Sequence, residues 1–117
     1  MAESTTIEFA TLGMFIIDQI NFPNPGYSPS TPYVKVVDDI VGGAGTYGIL
    51  GARLFSPPPL SKCMGWIVHT GNDFPESIVK TLKSWDTTLI LRQTPDRLTT
   101  RGVYRTMVHQ KIATLVV

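Results

Sequence analysis

Gly42-Gly43-Ala44-Gly45-Thr46-Tyr47-Gly48 opens the run Ile49-Leu50-Gly51-Ala52-Arg53-Leu54-Phe55, and the reading of this stretch decides the fold. An extended segment, Val34-Lys35-Val36-Val37-Asp38-Asp39-Ile40-Val41, leads into it. The chain then meets four glycines within seven residues before a helical pattern begins. Glycine permits φ > 0 and has no Cβ, so such a junction turns sharply and presents bare backbone N–H groups. The first N–H groups of the helix lack intrahelical partners, and the helix dipole adds partial positive charge there. The pattern predicts a strand, a glycine turn and a helix, with a place for an anionic or hydroxyl-rich ligand at the turn.

Other motifs compete for these glycines. Gly43-x-Gly45-x-x-Gly48 matches the form of the dinucleotide fingerprint, which also requires an acidic residue about 20 positions later. That position falls near Val68 and His69, and Asp38 and Asp39 suit a buried first strand poorly. A Walker-type loop requires Lys and Ser/Thr after its last glycine, where this chain has Ile49-Leu50, and is excluded. A glycine turn that serves close packing alone is the structural alternative.

At 117 residues the chain forms one small domain or part of a larger one. A net charge of +1 with 16% charged residues supplies no basic field for nucleic acid. The single cysteine, Cys63, lies in an apolar run, which excludes an internal disulfide framework and fits a reducing compartment. The first residues show no positive region leading into a long apolar segment, and no stretch approaches the ~20 apolar residues of a membrane span. A cytoplasmic protein without membrane or nucleic-acid contact is the expectation.

In chain order, Phe9-Ala10-Thr11-Leu12-Gly13-Met14-Phe15-Ile16-Ile17 reads as one strand buried on both faces, as in a parallel sheet covered by helices. It ends at Asp18. A carboxylate at the end of such a strand is equally a ligand-site residue or the strand's exit into solvent. Phe22 to Tyr33 contains four prolines and reads as a long irregular loop. Val34 to Ile40 resumes as a strand, and its Asp38-Asp39 pair suggests a solvated edge or lid position rather than a metal site.

Tyr47, Leu50 and Leu54 share a helix face able to lie on a sheet, and Ser56-Pro57-Pro58-Pro59 stops the helix. Lys62 to Val68 is the next strand. Asp73 and Glu76 have capping-box spacing around Pro75, so a second helix starts there, with Ile78, Val79, Leu82 and Trp85 as its apolar face. Leu89-Ile90-Leu91 gives a third strand. This alternation predicts right-handed crossovers and a three-layer α/β sheet. His69 and His109 stand apart from any ligand cluster, and no metal site is expected.

With these elements in place, Gly13 to Asp18, the irregular insert, the lid-like strand and Gly42-Gly43-Ala44-Gly45 together resemble the N-terminal part of pfkB-type carbohydrate kinases, the ribokinase-like fold. Thr70-Gly71-Asn72-Asp73-Phe74 resembles that family's strand-exit loop, and Thr99-Thr100-Arg101-Gly102 its later threonine-containing strand near the sugar. The double glycine leading into a tyrosine-bearing helix is similar to the fungal kinase-like branch associated with maintenance of killer virus. The likeness spans residues 7–105, with a proline-rich loop and lid strand at 19–41 and a divergent tail at 106–117.

The resemblance implies that Asp18 accepts hydrogen bonds from substrate hydroxyls and that Gly42 and Gly43 let the backbone approach the sugar and hinge the lid. Tyr47 joins them as a substrate-binding candidate, standing where the family usually has an asparagine. Ile16 replaces a second one. Both changes remove amide hydrogen bonding, which puts an ordinary ribose or fructose substrate in question. The family's Gly-Ala-Gly-Asp catalytic run, in which helix amides stabilise the transferring phosphoryl and an aspartate takes the proton, has no counterpart among these 117 residues. The expectation is a partial kinase-like domain with no catalytic residues and no cofactor of its own. ATP and magnesium are implied for a full-length family member. Its partners would be a sugar-like small molecule, or a protein partner or second copy through the lid. A non-catalytic interaction module is the alternative function, and poor solubility is the expectation if the half-sheet stands alone.

Overall fold

The structure, a computed structural model, describes residues 4–28, 30–107 and 110–116. Two sheets share the chain. β1 (Phe9–Thr11), β4 (Met64–Thr70) and β5 (Thr88–Gln93) form a parallel sheet in the order β1-β4-β5. β2 (Ile16–Ser28), β3 (Thr31–Gly42), β6 (Arg101–Met107) and β7 (Gln110–Val116) form a mixed sheet in the order β3-β2-β6-β7. Helices α1 (Ala44–Phe55) and α2 (Glu76–Ser84) follow β3 and β4, and a 3-10 turn at Leu60–Cys63 precedes β4. The peptide between Pro58 and Pro59 is cis.

The core lies on one face of the parallel sheet. Met64, Trp66 and Val68 alternate inward along β4 and pack with Ile49 of α1 and with Ile78 and Leu82 of α2. Trp66 stacks on Trp85 with ring centroids 5.9 Å apart, and its Nε1–H donates to Thr87 Oγ1 at 3.0 Å, so a buried indole has a partner. Arg53 Nε donates to the carbonyl of Trp85 at 2.7 Å, tying the end of α1 to the end of α2. The opposite residues of the strands, Ile67 and Ile90, sit side by side in register and are exposed.

Several sequence expectations are corrected. Phe9 to Ile17 is two strands in two sheets, because the chain breaks where Gly13 presses against the backbone of Gly45. Asp18 is therefore not a strand exit; it is the third residue of β2, paired with Ile40 and Gly102. The proline-rich stretch is not a loop: β2 and β3 run through it as a ribbon. β6 accompanies β2 only as far as Asn21, and the β2–β3 ladder shifts register on both sides of Pro23. Prolines fit there because a two-stranded, irregular ribbon leaves N–H positions that no neighbour requires. β3 is an edge strand, as the Asp38-Asp39 pair suggested.

Helix α1 also turns a different face inward. Gly45, Thr46 and Ile49 are buried, whereas Tyr47 is 60% and Leu54 76% exposed. Small residues win this contact because the backbone of Gly13 lies against Gly45 and Thr11 of β1 against Gly48; of the expected stripe, Leu50 is half-buried while Tyr47 and Leu54 are left outside. The capping box at α2 does not form: Pro75 occupies the N-cap, no side chain caps the helix, and Asp73 bonds elsewhere. α2 ends at Trp85 with Asp86 at φ +56°, a left-handed stop. The divergent tail supplies β7, antiparallel to β6. Cys63 is half-buried against the core and His69 is exposed, while His109 lies outside the described residues.

Candidate functional site

The double-glycine turn joins the two sheets. Gly43 has φ +99°, and a Cβ there would lie 2.2 Å from the carbonyl of Met14, so no other residue fits without a shift. A Cβ on Gly42 would fall 1.9 Å from Asp18 Oδ2. Thr46 Oγ1 donates back to the Gly42 carbonyl at 2.8 Å and holds the turn against the first residues of α1. The turn is shaped for the aspartate, and the aspartate fills the space a side chain would take.

Asp18 is only 7% exposed. Its Oδ1 is buried beside Gly102 and has no hydrogen-bond partner, and burial pushes the carboxyl above the ordinary aspartate range. An unpaired buried carboxylate oxygen is costly, and it requires either a proton or a donor from outside. Asp18 borders a cavity of about 370 Å³ lined by Ile16, Ile20, Ile40, Gly43, Ala44, Tyr47 and Tyr104. The cavity thus places one carboxylate beside the start of α1, which no side chain caps and whose Gly45 N–H donates to the Met14 carbonyl at 3.1 Å, inside walls that are otherwise apolar or tyrosine.

Of the sequence candidates, Asp18, Gly43 and Tyr47 come together on this cavity, and Gly42 backs the carboxylate from behind. Ile16, singled out as a replaced amide, lines it too. Ile20, Ile40 and Tyr104 were missed. Tyr104 was detectable, since it lies two residues after Gly102 on a strand and so shares its face. Ile40 was hidden because the lid strand carries a register shift beside it. The two other motifs meet each other: Gly71 N–H donates to Thr99 Oγ1 at 2.9 Å, and Thr99 N–H donates to Asp73 Oδ1 at 2.7 Å. Asp73 is held below the ordinary aspartate range by the Thr99 backbone bond first, and then by the Thr99 and Arg101 side chains.

The cavity does not fit a magnesium nucleotide. It offers a single carboxylate and no Lys or Arg to meet phosphate oxygens. Among the described residues no three His, Cys, Asp or Glu side chains come together as a metal site. No helix among them is long and apolar enough to cross a membrane.

A parallel sheet with helices, joined by a double-glycine turn to a second sheet that folds over a carboxylate, is the ribokinase-like fold. The chain overlays ribokinase from Giardia lamblia with a TM-score of 0.70 at 13% identity, over 96% of this chain and 33% of that one. It overlays the Methanocaldococcus jannaschii nucleoside kinase, an archaeal member of the ribokinase family, with a TM-score of 0.71 at 18% identity, over 98% of this chain and 38% of that one. In sequence it is similar to Protein MAK32 of Saccharomyces cerevisiae, 38% identical over 94 residues, or 80% of this chain and 24% of that protein. It is 42% identical over 102 residues to an uncharacterized protein of Schizosaccharomyces pombe, covering 87% of this chain and 26% of that protein. No family model matches the chain. The chain spans about a quarter of the length of these curated relatives, and fits the N-terminal portion of the ribokinase fold.

Proposed function

We propose that this chain is the ligand-cradling portion of a sugar- or nucleoside-kinase-like protein, and that by itself it binds a hydroxyl-bearing molecule without transferring phosphate to it. The observation that carries the reading is Asp18, which borders the cavity at the start of α1 and whose buried Oδ1 has no hydrogen-bond partner. A ligand hydroxyl would donate to the Asp18 carboxylate, and a bond to a charged acceptor contributes about 1.5–3 kcal/mol. The isoleucines and two tyrosines around that single polar contact favour a ligand with an apolar or aromatic body over a free sugar, which needs many polar partners. In a longer protein of this fold, phosphoryl transfer from ATP would be supplied by residues this chain does not contain. A cytoplasmic setting belongs to this reading, in keeping with the free thiol of Cys63.

The test is a calorimetric titration of the purified chain with adenosine and with D-ribose, followed by the same titration of Asp18→Ala. Adenosine should bind more tightly than ribose, and the substitution should weaken it by roughly tenfold to a hundredfold. Equal affinity of the Asp18→Ala chain would remove the carboxylate from the site. Phosphorylation of either compound from ATP by the 117-residue chain would overturn the non-catalytic part of the reading.

A second reading, a non-catalytic interaction module, draws on the apolar stripe of Tyr47, Leu54 and Phe55 that α1 leaves uncovered. A stoichiometric partner that is retained by the wild-type chain and lost on Leu54→Lys/Phe55→Lys would favour it over ligand binding.

A further inference from the structure

Arg101 opens β6, and its guanidinium reaches one carboxylate of its own mixed sheet and another in the loop that leaves the parallel sheet. One terminal nitrogen, Nη1, donates to Asp39 Oδ1 at 3.2 Å, and Nε donates to Asp73 Oδ2 at 3.3 Å. Asp39 belongs to β3, an edge of the mixed sheet, whereas Asp73 stands in the loop that leaves β4 of the parallel sheet. The other oxygen of Asp73 is already held by the Thr99 N–H, so the carboxylate is fixed on the parallel-sheet side.

The lid side is specially built as well. Between the pairs Asp18–Ile40 and Ile20–Val37, β3 carries Asp38 and Asp39 opposite the single residue Gln19. This is a β-bulge, and bulges re-aim side chains. Asp39 takes φ +55° within it, a conformation uncommon for a residue with a Cβ, while Gln19 Nε2 donates to Asp38. The bulge adjoins Ile40, which lines the cavity, and Arg101 adjoins Gly102, which abuts Asp18 Oδ1.

We propose that Arg101 is a positioning residue: by gripping Asp39 and Asp73 together, it latches the lid sheet to the parallel sheet and sets the closed shape of the Asp18 cavity. This rests on reading that cavity as the ligand site. The planar fork of arginine can serve two carboxylates at once, and the single ammonium of lysine does so less well. Half-exposed ion pairs contribute little to global stability, so the latch acts locally, on the lid.

The experiment is hydrogen–deuterium exchange on the full chain and on Arg101→Ala, Arg101→Lys and Asp39→Asn, paired with adenosine titration. In Arg101→Ala and Asp39→Asn, exchange across β2 and β3 should accelerate about fivefold or more, with α2 and β4 unchanged. Arg101→Lys should fall between them and the wild type. Adenosine affinity should decline in the same order. Unchanged β3 exchange in both Arg101→Ala and Asp39→Asn would overturn the latch, and so would uniform acceleration across all elements. Accelerated lid exchange with adenosine affinity unaltered from wild type would overturn the link to the cavity. If the wild-type chain binds no adenosine while β3 exchange still responds, the latch stands and the ligand reading fails.

Discussion

Asp18 and the two glycines beside it concentrate what is unusual about this chain. Asp18 has a folded-state pKa above its ordinary value of 3.8 because burial disfavours the charge. The folded chain therefore holds that proton more tightly than the unfolded chain. The contribution of Asp18 to stability is fully present below the ordinary value and is lost as pH rises through the folded pKa. Asp18→Asn should accordingly melt at a higher temperature than wild type at pH 7 while losing ligand affinity, and the thermal gain should vanish in melts performed below the ordinary value. A second residue-scale outcome separates the glycines. Gly42→Ala and Gly43→Ala should each cost about 1–3 kcal/mol in urea unfolding. Asp18→Ala should rescue Gly42→Ala, whose clash is with that carboxylate, and should leave Gly43→Ala unrescued, since its clash is with the Met14 carbonyl.

At the scale of elements, the outcome depends on which face of each helix is inside. Ile49→Ala should destabilise the chain by about 2–4 kcal/mol, the usual cost of emptying a core site. Leu54→Lys should change urea stability by less than about 0.5 kcal/mol, as surface substitutions do. The opposite ranking would restore the stripe that helical spacing alone selects. Spacing correctly found α2, whose buried Ile78 and Leu82 follow the 3.6 period, because a single wide face meets the sheet. It failed at α1, where Gly45, Thr46 and Ile49 are buried and the large side chains of Tyr47 and Leu54 lie outside. The strand, turn, helix order and the parallel β4–β5 pair were legible from apolar runs and glycines. The ribbon through Pro23, Pro25 and Pro32 was not, because local propensity carries no information about a ladder that tolerates missing donors. Around the candidate cavity, Asp18, Gly43 and Tyr47 stand out in the sequence by motif likeness, while Ile20 and Ile40 depend on a bulge that no pattern announces.

For the molecule as a whole, 117 residues in one compact domain would have a radius of gyration of about 13 Å, and the value here is 17.2 Å. A folded monomer of 12.9 kDa exposes about 6,300 Å², compared with 8080 Å² here. The difference reflects an elongated shape of 64 × 34 × 21 Å, a parallel sheet bare at Ile67 and Ile90, and the outer stripe of α1, where Phe55 is 91% exposed. The chain alone should therefore self-associate. Sedimentation velocity should show a concentration-dependent species larger than 12.9 kDa that diminishes in Leu54→Lys/Phe55→Lys. A wild-type chain that sediments as a monomer at all concentrations would show that these surfaces need no cover.

The most direct test of the Asp18 cavity is a nitrogen-15 amide NMR titration of the chain with adenosine. Amide shifts should cluster at Gly42, Gly43, Ala44, Tyr47 and Tyr104, with α2 unmoved, and should disappear in Asp18→Ala. Shifts absent throughout the titration, or gathered instead on α2 and the C-terminal ends of β4 and β5, would contradict the assignment of this cavity as the ligand site.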